Sequence, residues 1–434
     1  MSEYIIHIDV DAFFAQVEEV LNPSVAGKPL GVQQNYEVAS VNYAAREHGL
    51  FNRITVSEAK RLCPQIVLVQ GDNSVDGMQR YRRASQHVLR TIMQELSPLI
   101  RGASSQGKHP WEGRHVENAS FDDFYIVFNE IMAEEWLQNR KHQACSSKAA
   151  VYEAAWSWCE HCRGRIAQET KLKCSAGLGP TKLLSALATK VRKPNGQFGV
   201  KFGEELSFMA EVKLAALKGA GLRGLPAEVK AEIEATFDQS ARLADLTSLE
   251  NAQTSNLLWK IMSTGDDGSQ VPLFELPKSV SMELNIRPSN FEPCTSVDAV
   301  CRGFHELAEV LLRRALEDEE TYGARCCSGI IARWKLFGNH AKDVRQRGGS
   351  WPGSSPSIRS VSSATLGAAA SNLFRGSITK GESISISRIV LVLQFSSGPS
   401  AQCRLGKLAR PLAQPTIFES FKRQRCVAIV IEDD

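Results

Sequence analysis

Tyr4-Ile5-Ile6-His7-Ile8-Asp9-Val10 is a short run of apolar and β-branched residues, and it reads as a buried strand that carries Asp9 to its C-terminal end. Asp9 is therefore expected at a sheet rim. Behind it, Phe13, Phe14, Val17, Val20 and Leu21 recur at spacings of three and four, the stripe of an amphipathic helix that Asn22-Pro23 stops. A strand followed by a helix, with polar residues at the junction, is a common way to present chemistry.

Outward from this unit the pattern stays mixed. A strand is expected over 29–33, a helix over 43–48 closed by Gly49, and a helix capped by Ser57 that ends before Pro64. Met78, Tyr81, Ser85, Val88, Leu89, Ile92, Met93 and Leu96 mark one face of a long helix ended by Pro98. Residues 102–113 are polar and Gly-containing, and read as an exposed insertion. Two strands are expected within 116–128, on either side of Ser120-Phe121-Asp122-Asp123. A helix over 147–168, a strand over 171–178 and a helix over 181–192 complete a β-α-β-β-α-β layout. The pattern over 204–250 is helical, with a Gly hairpin at Lys218-Gly219-Ala220-Gly221, and 265–277 reads as a linker. A further strand, helix, strand, helix and strand follow at 279–284, 297–316, 326–334, 364–374 and 384–395, with a Ser/Gly-rich loop over 348–357 and a tail of about forty residues. The fold class is α+β, in several domains.

Composition sets the outer limits. The chain has 434 residues, 43% hydrophobic and 23% charged, which is ample for several cores and unlike a disordered chain. Its longest apolar runs fall far short of the roughly 18 to 20 residues that cross a bilayer, so no membrane partner is expected. Met1-Ser2-Glu3-Tyr4 lacks the parts of a secretory signal, so the 11 cysteines are expected to be reduced, without disulfides, in the cytosol or nucleus. Net charge is only +3, but residues 325–388 hold ten basic side chains against two acidic ones, a local balance of +8 that suits a polyanion.

Three carboxylates make the first candidate site. Asp9, Asp122 and Asp123 supply the hard oxygens that magnesium takes while keeping bound water and substrate phosphates. Paired acids near a turn are ordinarily turn chemistry, so phosphate-binding groups are needed beside them. Tyr43-Ala44-Ala45-Arg46 sets a phenol and a guanidinium three apart on one helical face, and Lys193-Pro194-Asn195-Gly196 projects a lysine from a helix end. Each alone is an unremarkable surface charge; their joint occurrence is the signal. His142-x-x-Cys145 with Cys159-x-x-Cys162 can be written as a zinc site, but the second pair falls in continuous helix, where buried thiols are ordinary core residues.

In order along the chain, Ile8-Asp9-Val10-Asp11-Ala12-Phe13-Phe14-Ala15-Gln16-Val17-Glu18, Asn42-Tyr43-Ala44-Ala45-Arg46, Ser120-Phe121-Asp122-Asp123 and Lys193-Pro194-Asn195-Gly196 resemble the motifs of the Y-family, lesion-bypass DNA polymerases. Lys28-Pro29-Leu30-Gly31-Val32-Gln33-Gln34 with Phe121-Asp122 looks most like the iota branch, with eta next. The resemblance implies a right-hand polymerase: a ferredoxin-like palm (1–30 and 97–200), small fingers (31–96), a helical thumb (201–270), and a βαββαβ-type little finger that grips DNA (277–398), before the tail (399–434). It implies template-directed synthesis past damaged bases at low fidelity, in the nucleus and by a monomer, with primer-template DNA and deoxynucleoside triphosphates as partners. Two magnesium ions, or manganese in their place, would be held by Asp9, Asp122, Asp123 and the Val10 carbonyl. Tyr43, Arg46 and Lys193 would hold the triphosphate, and Phe13 and Phe14 would meet the nucleotide, Phe14 under the sugar.

Some features depart from the family pattern. Asp123 stands where the family usually has Glu, which shortens the reach by one methylene and raises the alternative of a weakened or inactive relative that acts as a DNA- and clamp-binding scaffold. Glu37 occupies a place that is apolar in the iota branch near the template base. In the tail, Gln414-Pro415-Thr416-Ile417-Phe418-Glu419-Ser420-Phe421 resembles a sliding-clamp-binding peptide, with Gln414, Ile417 and Phe421 as anchors, and Lys422-Arg423-Gln424-Arg425 follows as a weak nuclear signal.

Overall fold

The computed structural model describes residues 3–34, 36–71, 78–100, 115–138, 147–217, 227–236, 241–248, 256–285, 294–336, 344–351, 357–379 and 384–396. The 102–113 insertion, the Gly hairpin at 218–221, His142, Cys145 and the tail with Gln414, Ile417 and Phe421 lie outside these residues.

The chain opens with β1 (Glu3–Val10) and α1 (Phe13–Leu21). Next come β2 (Leu30–Gln34), β3 (Glu37–Val41), α2 (Tyr43–Glu47), β4 (Ile54–Thr55), α3 (Val56–Leu62) and β5 (Val67–Gln70), and the four strands form a small sheet in the order β4-β3-β2-β5. After α4 (Gln79–Leu96) come β6 (Val116–Asn118), β7 (Asp123–Asn129), α5 (Glu130–Gln138), α6 (Lys148–Thr170), β8 (Cys174–Gly179), α7 (Lys182–Val191) and β9 (Gln197–Gly199). With β1 their strands make a five-stranded sheet, β6-β7-β1-β8-β9. β1 lies between two antiparallel neighbours and is buried almost throughout, as its unbroken apolar run predicts. The core formed by this sheet with α1, α4 and α6 includes Ile6, Phe124, Phe128 and Trp158.

A helical stretch of α8 (Glu205–Ala210), α9 (Leu214–Leu217), α10 (Ala227–Thr236) and α11 (Asn256–Thr264) shares a third core with α7. The last unit runs β10 (Ser279–Asn285), α12 (Val297–Tyr322), β11 (Cys327–Leu336), β12 (Val344–Ser350), α13 (Ser363–Arg375) and β13 (Ile386–Phe395), with sheet order β10-β13-β11-β12. Phe304, Leu311, Phe374, Ile389 and Leu391 fill its core, completely buried.

Several elements differ from the sequence reading. Thr55, not Ser57, caps α3 by accepting a hydrogen bond from the Glu58 amide at 3.3 Å. β3, β5 and β12 carry weak signals: β3 and β5 have only five and four residues, and β12 is a β-ladder partner of β11 whose residues are nearly all exposed. The 265–277 stretch is not a free linker. Leu273 bridges His115 at the edge of the first sheet, Val271 and Phe274 are buried, and the Thr181 hydroxyl donates to the Gly265 carbonyl at 2.6 Å. Cys326 is disulfide-bonded, contrary to the expectation of reduced thiols throughout. Cys159 and Cys162 are free thiols buried in α6, where burial pushes both far up from the ordinary thiol range.

The +8 stretch is also not one surface. Arg325 is buried and lies 3.6 Å from Asp318, Arg359 pairs with Glu319 at 2.9 Å, and Arg375 pairs with Asp298 at 2.8 Å. What faces outward is the side of the last sheet opposite Ile330, Ala332 and Trp334, which carries Arg333, Lys335 and Arg388.

Candidate nucleotidyl-transfer site

Strand pairing brings the first two acids together. In the β1–β7 ladder Asp9 is the register partner of Asp123 and His7 that of Tyr125, so the four side chains share one face. Asp122 precedes β7, and its carbonyl accepts from the Val10 amide at 2.9 Å, which locks the acidic turn against the end of β1. The Ser120 hydroxyl donates to Asp122 Oδ1 at 2.5 Å and to Asp123 Oδ2 at 2.9 Å.

Each acid has a different environment. Burial pushes Asp9 up to about 6, against the opposing pull of Lys193, whose Nζ lies 2.5 Å from its carboxylate. Burial likewise raises Asp122. Burial acts in the same direction on Asp123, but His7 Nε2 at 3.0 Å, with Ser120 and Lys193, outweighs it and holds this acid below the usual carboxylate range. His7 is itself fixed by Thr189 at 2.8 Å and by stacking on Tyr125, with centroids 4.3 Å apart.

Lys193 therefore stands over the acidic cluster, as its place after α7 allows. Tyr43 and Arg46 lie on α2, which Asn42 caps by accepting from the Ala45 amide at 2.9 Å. The Arg46 guanidinium sits 4.7 Å from the Tyr43 ring centroid, and its Nε is buried with no hydrogen-bond partner among the described residues. An orphaned buried guanidinium donor is costly unless a ligand accepts from it. Burial, followed by the charge of Asp11, pushes the Tyr43 phenol up to about 12 and keeps it a neutral donor.

Phe13 and Phe14 separate in space. Phe13 is 2% exposed and belongs to the core, which corrects its expected place beside a nucleotide, whereas Phe14 is half-buried against Tyr81 and Phe121. Behind them Glu18 is buried, paired with Arg80 at 2.8 Å and accepting from the Tyr81 hydroxyl at 2.5 Å, which ties α1 to α4.

Sequence reasoning missed the residue that organises the site. Asp11 is 2% exposed and accepts from the Ser175 hydroxyl at 2.8 Å and from the Asn195 amide at 2.7 Å, while Lys193 Nζ lies 4.0 Å away. Its charge also acts on the Tyr43 phenol. One carboxylate thus joins the Lys193–Asn195 loop to the helix that carries Tyr43 and Arg46. Gln16 steadies the turn by donating to the carbonyls of Asp11 and Lys173 and accepting from the Lys173 amide at 2.9 Å. The available signal was the repeat of acids at alternate positions in Asp9-Val10-Asp11.

Among the described residues no three His, Cys, Asp or Glu side chains already form a metal cage. Lys193 engages Asp9 and His7 engages Asp123 instead. The donor set nonetheless fits a hard divalent cation: the acids bear oxygen donors, and burial raises two of them, which marks ionised forms short of compensating charge.

Known proteins are similar to this chain over the region that carries these residues. A model of the impB/mucB/samB family matches residues 8–107 and 110–190, which hold Asp9, Asp122, Asp123, Tyr43 and Arg46. Over this region, less than half of the chain, the sequence is similar to that family, the Y-family of DNA polymerases, whose members generally use divalent metal ions. It is 28% identical to DNA polymerase iota of Homo sapiens over 365 residues, 80% of this chain and 45% of that protein. It is 28% identical to DNA polymerase IV of Yersinia enterocolitica over 309 residues, 68% of this chain and 74% of the relative. The Mus musculus DNA polymerase iota is similar at 28% over 339 residues. The chain thus spans less than half the length of the iota relatives and about three quarters of the bacterial one. Among the described residues no helix is long and apolar enough to cross a membrane.

Proposed function

We propose that this chain is a template-directed DNA polymerase of low fidelity that synthesises past damaged bases: a primer 3′-hydroxyl attacks the α-phosphate of a bound deoxynucleoside triphosphate and pyrophosphate leaves. The observation that carries the reading is the register pair Asp9–Asp123 beneath Lys193, with the orphaned Arg46 donor on the neighbouring helix. Asp9, Asp122, Asp123 and the Val10 carbonyl would hold two magnesium ions. Such ions, when bound, lower the pKa of the attacking hydroxyl and neutralise charge on the leaving oxygen.

The chain's own residues do the rest. Arg46 and Lys193 neutralise and orient the triphosphate, the guanidinium by paired hydrogen bonds and the ammonium as a point charge. Tyr43, kept protonated, donates one further hydrogen bond. Phe14 lies where a sugar would pass and restricts its 2′ position. Asp11 is a positioning residue that keeps Lys193 and Tyr43 in register. The separate cores support four units, a palm at 1–30 and 97–200, fingers at 31–96, a thumb at 201–270 and a little finger at 277–398, with α4 packing into the palm core and α7 shared between palm and thumb. The outward arginines and lysine of the last sheet suit backbone phosphates. The tail with Gln414, Ile417 and Phe421 would engage a sliding clamp, and the protein would work as a monomer in the nucleus.

A scaffold role is favoured by one observation, the hold of His7 on the shortened acid Asp123. Primer extension in magnesium and then manganese, beside Asp123→Glu and Asp122→Ala, separates the readings. Extension by the native chain, abolished in Asp122→Ala, is the expected result. Intact DNA binding with no product in either metal would instead leave the scaffold.

A further inference from the structure

Where the last unit meets the first, the C-terminal turns of α12 lie against α4. Arg90 pairs with Glu320 at 2.9 Å, Gln79 and Arg83 donate to Glu317, and Gln86 donates to Asp318. Beside this seam is an open cavity of about 460 Å³, lined by Arg82 and Ser85 of α4, Ser120 and Phe121 of the acidic turn, and Arg314 and Tyr322 of α12, among others.

Its charges are unbalanced. Arg82 makes no side-chain hydrogen bond or close ion pair among the described residues; its guanidinium lies over the Phe121 ring, 5.5 Å from the centroid, with the charge of Asp318 acting on it from beyond ion-pair distance. Arg314 is anchored by donating to the Ser281 carbonyl at 2.8 Å and to the Met282 sulfur at 3.4 Å, and likewise meets no carboxylate within ion-pair distance among the described residues. Asp318 is the lining carboxylate, but one of its oxygens accepts from Gln86 and the other faces Arg325 at 3.6 Å. Burial lowers both lining arginines, Arg314 to about 10 with Arg82 adding to the effect, against the opposing pull of Asp318 on each. Two half-buried guanidiniums sharing a cavity without a carboxylate of their own are costly to hold unless an anion sits between them.

We propose that this cavity is an anion site that takes a phosphate group between Arg82 and Arg314, so that its ligand bridges the first and last units of the chain. Paired guanidiniums suit a phosphate dianion, whose oxygens accept planar forks of donors, and Ser85 adds a neutral hydroxyl. The volume falls within the usual range for a small-molecule pocket and exceeds the needs of a bare ion, while Phe121 and Tyr322 offer ring surface to whatever the phosphate is attached to. The site borders the proposed polymerase centre through Ser120 and Phe121 of the acidic turn, but its two arginines belong to neither the metal nor the triphosphate cluster.

The test uses the full chain without metal. Thermal unfolding is followed against inorganic pyrophosphate for the native protein, for Arg82→Gln/Arg314→Gln, and for Arg302→Gln, which removes an exposed arginine elsewhere on α12. Pyrophosphate, which Arg46 and Lys193 of the proposed triphosphate site would also take, is expected to raise the midpoint of the native chain and of Arg302→Gln, and to raise that of the double variant less. Should the double variant fail to fold, Arg82→Lys keeps the charge and loses the fork, and is expected to weaken the protection. The salt dependence of DNA binding distinguishes the source. A log–log slope shallower by about 0.9 in the double variant means that a DNA phosphate fills the site, and an unchanged slope with reduced protection means a free phosphate compound. Protection and slope both equal to those of Arg302→Gln would overturn the proposal.

Discussion

The first and last sheets follow one recipe, mainly antiparallel strands with helices against a face, and carry opposite electrostatic content. In the first, Asp9, Asp122 and Asp123 crowd one end of two strands, half-buried, each with a named partner in Lys193, Ser120 or His7. In the last, Arg333, Lys335 and Arg388 are spread over the outward face, and Lys335 is the register partner of Arg388. Like charges set directly opposite destabilise a sheet. A small divalent ion rewards concentrated charge at one point, and a long polyanion rewards charge laid out along a surface. The two sheets differ in the shape of the counter-charge each is built to meet.

The sharpest break of this contrast is at the acidic end. Asp122→Ala is expected to lower primer extension by at least about 10²–10³-fold, the scale of removing one electrostatic group at a reacting centre, with DNA affinity retained in a gel-shift measurement. Asp11→Asn keeps size and removes the charge that joins Lys193 to Tyr43; nucleotide KM should rise by about tenfold to a hundredfold while DNA affinity holds, because misplacement of orienting groups is costly. The basic face answers in the opposite manner. Arg333→Gln, Lys335→Gln and Arg388→Gln together should make the slope of log affinity against log salt shallower by about 0.9 for each DNA phosphate that is no longer neutralised, with extension at saturating DNA unchanged. The smallest effect concerns the joint between the units: Glu317→Gln weakens the bonds from Gln79 and Arg83 and should cost about 1 kcal/mol in urea unfolding, discounted because the pair is part-exposed.

Legibility followed local signal. β1 and α1 were readable because an unbroken apolar run and a 3–4 stripe each have one structural solution, and the long α4 and α12 were readable from the same periodicity. β12 was not, because its exposed residues leave no alternation to detect and only pairing with β11 makes it a strand. Phe13 and Phe14 carry the same chemistry, and only packing decides that Phe13 enters the core. The 265–277 stretch looked like a linker since Asp266, Asp267 and Gly268 are turn formers; its buried Val271 and Phe274 acquire meaning only against the first sheet.

By itself the sequence determined the kinds of groups available, their order, and the elements that carry them, since these follow from side-chain chemistry and from periods of two and 3.6 residues. Tertiary structure alone decided which of those groups meet. Asp9 faces Asp123 through a strand register, Asp11 reaches Asn195 across 184 positions, and Arg325 turns inward to Asp318 rather than joining the basic face. Such encounters depend on pairing and burial between segments remote in the chain, and no local pattern of residues encodes them.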